Sequence, residues 1–587
     1  MKLSDYIVDF LARQGSRCVF LVSGGAIIHC VDSASRHPGM TLICSAHEQG
    51  AGASADGYSR ISGNLGAVMA TSGPGATNLT TSICNAYFDS VPFVMICGQV
   101  ATFRIKKSKK LRQKGFQETE LRSLFASITN YIGEVRDPRQ IKYELQKAFY
   151  LARKGRPGPV LLDVPDDIQR ADIHPDELPG FVPEKEAPRG DFKKEIKNLF
   201  ELIKHSKRPV FILGAGVGVA SSREKAVKFA EHFNIPVLLT WGGKDIMPFD
   251  HYLNMGGLGV CGPRAGNFAA QTADLVIAMG TRLSQLITGG KQDLFAPKAK
   301  KVMIDIDPEE FAKFTKNDFK LDFGIQADLS EFLNECEKAY GLKGEDRFKE
   351  WRSKIEQWKR EYPVIQAENI NRKERVDGLV FLDALSEISK EGDVIVADTG
   401  ANLAWTMQTF KVKKGQRIIS AWNHTPMGYA LPASIGAALA CGREVICVTG
   451  DGGILMSLEE LATIRRNNIP VKIFIMLNRG HGIQKQTMDT WLNSRYTAAD
   501  ENSGLYFPDF VKIGEAFDLP TCVVENNQQI RTRLKEVFAL SGPVLCVVEV
   551  FENQKIVPML KFGAGLEDLD PKLPRAEIDS IMKIADE

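Results

Sequence analysis

Short apolar runs closed by glycine alternate with longer amphipathic stretches through almost the whole chain. Continuous apolar runs suit strands buried on both faces, and the stretches between them are long enough for covering helices. The alternation predicts an α/β protein with parallel sheets. Strands are predicted at 18–22, 65–71, 93–98 and 160–164, followed by a proline- and charge-rich linker over 165–189. A second unit opens with the apolar run at 208–213, carries runs at 235–240, 274–280 and 301–305, and fades into charged helical sequence over 340–375. A third has runs at 393–398, 445–449, 471–478 and 543–550. The pattern thus predicts three doubly wound domains, at 1–175, 190–340 and 375–560, with a polar C-terminal tail at 561–587. The first and third have similar lengths but no obvious sequence repeat.

Composition narrows what such a chain does. Its 587 residues exceed what one core supports. With 44% hydrophobic and 25% charged residues and a net charge of +2, it matches neither a disordered chain, a membrane protein nor a protein selected for nucleic acid. Small molecules and copies of itself are the expected partners. Its eleven cysteines form no CxxC pair or His/Cys cluster, which fits free thiols in a reducing cytosol. The N-terminal residues mix charge and apolar positions at helical spacing and show no export signal, so a cytoplasmic location is expected.

The sharpest chemical signal is Thr449-Gly450-Asp451-Gly452-Gly453-Ile454, between the predicted strand at 445–448 and a helical pattern over 457–466. Small residues at a strand–turn–helix junction let backbone N–H groups approach a phosphate, where the helix terminus favours negative charge. By itself such a turn reads more readily as plain structure. The next predicted strand ends in Asn478-Arg479-Gly480-His481-Gly482, so two neighbouring strands bring Asp451 and Asn478 to one sheet edge, where open α/β sheets bind ligands. One carboxylate, an amide oxygen, a loop carbonyl, two diphosphate oxygens and a water would complete the six oxygens that magnesium prefers.

Gly450-Asp451-Gly452 with Asn478 placed 27 residues after the Asp resembles the motif of the thiamine diphosphate enzymes. The resemblance implies magnesium ligands at Asp451, Asn478 and the Gly480 carbonyl, with further cofactor contacts from Gly452, Gly453, His481, Gly482 and Ile483. The family's usual Asn-Asn pair is Leu477-Asn478 here, which spares the metal-binding Asn. Upstream, Thr399-Gly400-Ala401-Asn402 stands where family members contact the diphosphate, and Pro426-Met427-Gly428-Tyr429 supplies an apolar wedge, with Met427 the candidate.

Activating this cofactor requires a carboxylate that exchanges a proton with its aminopyrimidine ring. Glu48 lies among small, weakly polar residues in Cys44-Ser-Ala-His-Glu-Gln-Gly-Ala-Gly-Ala53, surroundings that would desolvate it, although a helix N-terminal carboxylate would look the same. It also resembles the family glutamate in position, ahead of the turn Ser72-Gly73-Pro74-Gly75-Ala76-Thr77-Asn78. Pro74 and Asn78 are the expected contacts there. The family binds ring and diphosphate on different domains of two subunits, which implies a homodimer or homotetramer.

In the middle unit, Gly214-Ala215-Gly216-Val217-Gly218 is a partial dinucleotide turn, and the following strand lacks the terminal acid of an NAD site. The unit resembles the central domain of acetolactate synthase-type enzymes through Gly257-Leu258-Gly259, Gly280-Thr281-Arg282, Asp305 and Asp328. These are therefore candidate FAD contacts together with Gly214, Ala215 and Gly216. The flavin-side segment is altered to Leu283-Ser-Gln-Leu286.

This resemblance implies decarboxylation of a 2-oxo acid, expected to be pyruvate, and transfer of the two-carbon unit to a carbonyl acceptor. Gln117, in Phe116-Gln117-Glu118, is a candidate contact, and His481 and His424 are candidate proton relays. Thr487 stands where synthases carry a tryptophan that selects the acceptor, and the loop over 104–114 is strongly basic. That loop and the segments at 503–510 and 566–569 are similar to members from bacterial surface-polysaccharide pathways, which places a nucleotide-linked ketosugar first as acceptor. Plain acetolactate synthesis is the alternative, and a flavin-dependent oxidoreductase the alternative from another class.

Overall fold

In the computed structural model the described residues are all but 185–189, 316–317, 342–344, 562 and 587. Parts of the expected linker (185–189), of the charged stretch beyond 340 (342–344) and of the tail (562 and 587) lie outside the described residues.

Three six-stranded parallel sheets follow one another along the chain. The first contains β1 (Cys18–Leu21), β2 (Thr41–Cys44), β3 (Gly66–Ala70), β4 (Phe93–Gln99), β5 (Tyr131–Glu134) and β6 (Val160–Pro165). The second contains β7 (Pro209–Leu213), β8 (Val237–Leu239), β9 (Asn254–Gly257), β10 (Leu275–Met279), β11 (Lys300–Asp305) and β12 (Phe323–Gln326). The third contains β13 (Val394–Ala397), β14 (Arg417–Ile419), β15 (Val445–Gly450), β16 (Val471–Leu477), β17 (Thr521–Val524) and β18 (Val544–Glu549). The α/β, parallel-sheet expectation holds.

The strand orders are β2-β1-β3-β4-β6-β5, β12-β11-β10-β7-β8-β9 and β14-β13-β15-β16-β18-β17. The first and third sheets therefore share one topology, despite lacking a readable repeat. The second has the order of a dinucleotide-binding fold, with its switch point between β7 and β10. Each sheet also has two strands that the apolar pattern did not predict, and all six lie at sheet edges: β2, β5, β9, β12, β14 and β17.

The first and third units share one core. Helix α1 (Glu48–Ser62) packs along helix α2 (Ala430–Cys441), and apolar side chains of both units join in a single cluster. Their contact is close because it is made of backbone. A Cβ on Gly57 would lie 2.1 Å from the Ala433 carbonyl oxygen, and one on Gly436 would lie 1.7 Å from that of Ser54. Polar bonds cross the same seam: Ser54 Oγ donates to the Pro432 carbonyl (2.8 Å), and the Tyr429 hydroxyl donates to Asp56 (2.5 Å). The expected polar tail instead folds back on the middle unit, where Leu566, Leu569 and Ile581 enter its core and Asn267 Nδ2 donates to the Leu566 carbonyl.

Candidate active site

Strands β13, β15 and β16 lie side by side, so the turns leaving their carboxyl ends converge. Asp451 begins the turn after β15. Its carboxylate accepts N–H bonds from Gly452 (2.7 Å), Asn478 (3.1 Å) and Gly480 (3.4 Å), which ties the two loops together. Burial pushes this carboxyl up to about 7. Among the described residues no cationic side chain pairs with it, and the Asn478 side-chain amide makes no hydrogen bond. A buried carboxylate and a free amide oxygen at paired strand ends are a donor set that suits a hard cation. No cluster of three or more His, Cys, Asp or Glu side chains able to hold a metal occurs among the described residues, so any metal here would draw on amide and backbone oxygens.

The other predicted groups gather around this carboxylate. A Cβ on Gly452 would meet His481 Nε2 at 2.7 Å and Met427 Cε at 3.1 Å, so the ring and the thioether bracket that glycine. Burial lowers the His481 pKa. Gly482 approaches Asn478 Nδ2 and Ala401 in the same way, and Gly450 and Gly400 both approach Asn402 Oδ1. Gly400 has φ +103°, in the region that favours glycine, and opens the helix Ala401–Thr409. Ile483 follows in the helix Gly482–Trp491, where its carbonyl accepts the Thr487 hydroxyl (2.9 Å).

Sequence reasoning missed the residue that organises these turns. Asp398 is fully buried at the end of β13 and accepts from Thr399 N (2.9 Å), Gly428 N (3.1 Å) and Thr449 Oγ1 (2.9 Å), while a Cβ on Gly453 would lie 2.5 Å from its Oδ2. It thereby joins the turns after β13 and β15 to the segment that carries Met427. Burial pushes its pKa up to about 6. The available signal was a second acid at a predicted strand end, in Ala397-Asp398-Thr399-Gly400.

On the first unit, Glu48 is the first residue of α1 and is 9% exposed. Asn78 Nδ2 donates to its Oε2 (2.9 Å), and Gly75 in the turn Pro74–Asn78 approaches its Oε1. Gln117, at φ +62°, lies against Gly73 at the start of that turn. Glu48, Pro74, Asn78 and Gln117 are thus brought together at the ends of β2, β3 and β4. The start of α1 is held by Glu460 of the third unit, whose buried carboxylate accepts Ala46 N (3.1 Å) and His47 N (3.2 Å). No pattern in the sequence distinguished Glu460. Within one chain no hydrogen bond joins the Glu48 group to the Asp451 group among the described residues.

His424 is not with either group. It is exposed, and its ring stacks on Phe88 with centroids 5.6 Å apart.

In the middle unit, Ala215, Gly216, Gly280, Arg282, Asp305 and Asp328 line one cavity, and Gly214 and Gly216 pack against Gly280 at its floor. Burial raises the Asp305 pKa. Arg156 of the first unit also lines this cavity, a residue that sequence reasoning missed. Its Nη1 bonds Asp307 and Glu310 (3.0 Å each), and Arg282 Nε bonds Glu310 too (2.8 Å). Gly257 and Leu258 line a different cavity, and Gly259 packs on the Leu286 carbonyl. Gly257 ends β9 and the other two follow it at the sheet edge, away from the β7/β10 switch point.

Comparison with known proteins agrees with this geometry. Residues 1–124 match the thiamine pyrophosphate enzyme N-terminal TPP binding domain, residues 196–336 the central domain and residues 398–548 the C-terminal TPP binding domain. The chain is 33% identical to acetolactate synthase 1, chloroplastic, of Zea mays, over 97% of this chain and 88% of the relative. It is 33% identical to the acetolactate synthase large subunit of Pyropia yezoensis, over 95% and 93%. No helix among the described residues is long and apolar enough to cross a membrane.

Proposed function

We propose that this chain, which belongs to the thiamine pyrophosphate-dependent enzymes of the acetolactate synthase family, takes a two-carbon unit from pyruvate and joins it to the carbonyl of a second 2-oxo acid. The observation that carries the chemistry is Asp451, a buried carboxylate beside the free amide of Asn478 at paired strand ends. The acceptor follows from relatives that are acetolactate synthases over nearly their whole length. They favour this reading over the ketosugar acceptor placed first on sequence grounds.

Thiamine diphosphate supplies the electron sink that lets a bond beside a carbonyl break and form. The chain's own groups do the rest. Asp451, Asn478 and the Gly480 carbonyl would hold Mg2+, while the turns at 400–402 and 450–453 present N–H groups to the diphosphate. Met427, held by the bond from Gly428 N to Asp398, provides an apolar contact. Glu48, oriented by Asn78, moves the proton of the aminopyrimidine. Because the Glu48 and Asp451 groups are not joined within one chain, we assign their meeting to a second copy in a homodimer or homotetramer. The middle cavity suits FAD: its floor is backbone on backbone, and Arg156, Arg282 and Asp305 line it.

A second reading, a larger phosphorylated acceptor, is favoured by the basic loop. Glu118 clasps that loop by accepting from Lys106 N (2.6 Å), Lys114 N (2.7 Å) and Gly115 N (3.1 Å), next to Gln117. The loop thus holds its shape while most of its lysines and arginines face solvent, where they can meet phosphate.

Incubation with pyruvate alone decides the matter. The first reading expects one acetolactate and one CO2 per two pyruvates consumed. CO2 with acetaldehyde alone, converted to a carboligation product only when a nucleotide ketosugar is added, would transfer the assignment to the second.

A further inference from the structure

A cavity of about 390 Å3 lies between the middle and third units, away from both groups of the active site. Its walls are the end of β8, the segment around Leu258, the strap at 362–365 and the end of the helix Ala401–Thr409. It shares only Thr240 and Trp241 with the cavity that suits FAD. Its lining is mostly apolar, and the exceptions are unevenly satisfied. Lys359 and Lys411, at its rim, are paired with Glu356 and Asp383. Lys244 has no such partner among the described residues. Its ammonium donates to the Met407 carbonyl (2.8 Å), and no carboxylate lies within ion-pair distance among the described residues. An ammonium carries three donors, so positive charge and donor capacity are left over. Surrounding protein lowers the Lys244 pKa to about 8, yet the side chain keeps accessible surface, and it lines this cavity. Beside it, Gln408 spends its amide hydrogens on the Cys261 and Pro558 carbonyls, while its Oε1 has no partner. An uncompensated ammonium in apolar surroundings is costly, and an anion placed beside it removes that cost.

We infer that this cavity binds a small apolar monoanion, an aromatic or branched-chain carboxylate whose acid group meets Lys244 and whose body fills the apolar pocket. Its size is ordinary for a small-molecule site. The inference is independent of which acceptor the active site uses.

The test uses the holoenzyme with two fluorescent probes: 8-anilinonaphthalene-1-sulfonate, an aromatic monoanion, and N-phenyl-1-naphthylamine, its uncharged counterpart. The anion is expected to saturate one site per chain. Lys244→Met should raise its Kd at least about tenfold, as expected for loss of a charged hydrogen bond. Lys244→Arg should keep binding, and the uncharged probe should respond little to either change. Ile365→Trp, which fills the cavity from the strap, should remove both probes; if Lys244→Met does not fold, this variant and Lys244→Arg carry the test. Absence of saturable binding, equal anion affinity in a folded Lys244→Met, or displacement of the probe by FAD added to flavin-free enzyme would overturn the inference, the last by making this cavity part of the flavin site.

Discussion

Replacing Arg60 with Met removes a cation that bridges two buried carboxylates. Arg60 Nε bonds Asp56 Oδ1 (2.6 Å) and its Nη2 bonds Asp89 (2.7 Å); the arginine is 9% exposed, and both acids are inaccessible at the side chain. Removing one partner of a buried pair costs about 3–5 kcal/mol, because the other charge is left uncompensated. The cost here should fall in the lower half of that range, since each acid keeps other donors. Asp56 retains the Tyr429 hydroxyl and Asn85 Nδ2, and Asp89 retains Trp422 N, Asn423 N and Asn423 Nδ2. The contact of the guanidinium with the Tyr429 ring, at 5.8 Å, is also lost. We therefore expect about 3–4 kcal/mol, which for a unit of this size lowers its melting transition by roughly 6–15 °C. Scanning calorimetry of wild type and variant at pH 8 measures it, the first transition being compared because a multidomain chain does not unfold in one step. Both acids hold the segment 422–429 that leads to Met427, so thiamine diphosphate affinity should weaken as well. A first transition within about 2 °C of wild type would refute the reasoning, since it would mean that water already screens the two carboxylates.

Glu48→Gln should leave the fold and thiamine diphosphate affinity nearly unchanged while lowering the rate by about 10²-fold or more, measured as acetolactate or CO2 formed. Gly436→Ala puts a methyl on the Ser54 carbonyl and should cost about 3 kcal/mol or more by forcing α1 and α2 apart; Gly25→Ala, with nothing within 4 Å of the added carbon, is the matched control in thermal melts. Glu118→Ala frees three backbone N–H groups, and limited trypsin digestion should then cut within 104–114 well before the wild type is cut there. Asp451→Ala should abolish magnesium-dependent binding of thiamine diphosphate in calorimetry, and retained binding would remove Asp451 from the metal's ligands.

What could be read from the chain depended on how local its cause was. The twelve interior strands are buried on both faces, so each is written as a continuous apolar run. An edge strand such as β2, with only Ile43 fully buried, or β12, with only Ile325, leaves no such run, although it carries the same hydrogen-bond ladder. The pairing of Asp451 with Asn478 was also legible, because both residues end adjacent strands and the turn chemistry around them is local. Glu48 could be located from its small neighbours, but only the contact with Asn78 gives it an orientation.

Glu460 and Arg156 were out of reach for the opposite reason. Glu460 bonds residues more than four hundred positions away, and Arg156 meets Glu310 across 154. Nothing in the sequence near either residue records the partner. The sequence by itself determined that the chain alternates strands and helices, where most strands run, and which turn sets the buried acid Asp451 at a sheet edge. Only the tertiary structure decided that the first and third sheets share one strand order, that α1 and α2 meet backbone to backbone, and that Lys244 faces an apolar cavity with no counter-charge among the described residues. Periodicity reports whether a position is buried, whereas strand order and long-range pairing depend on which buried surfaces meet.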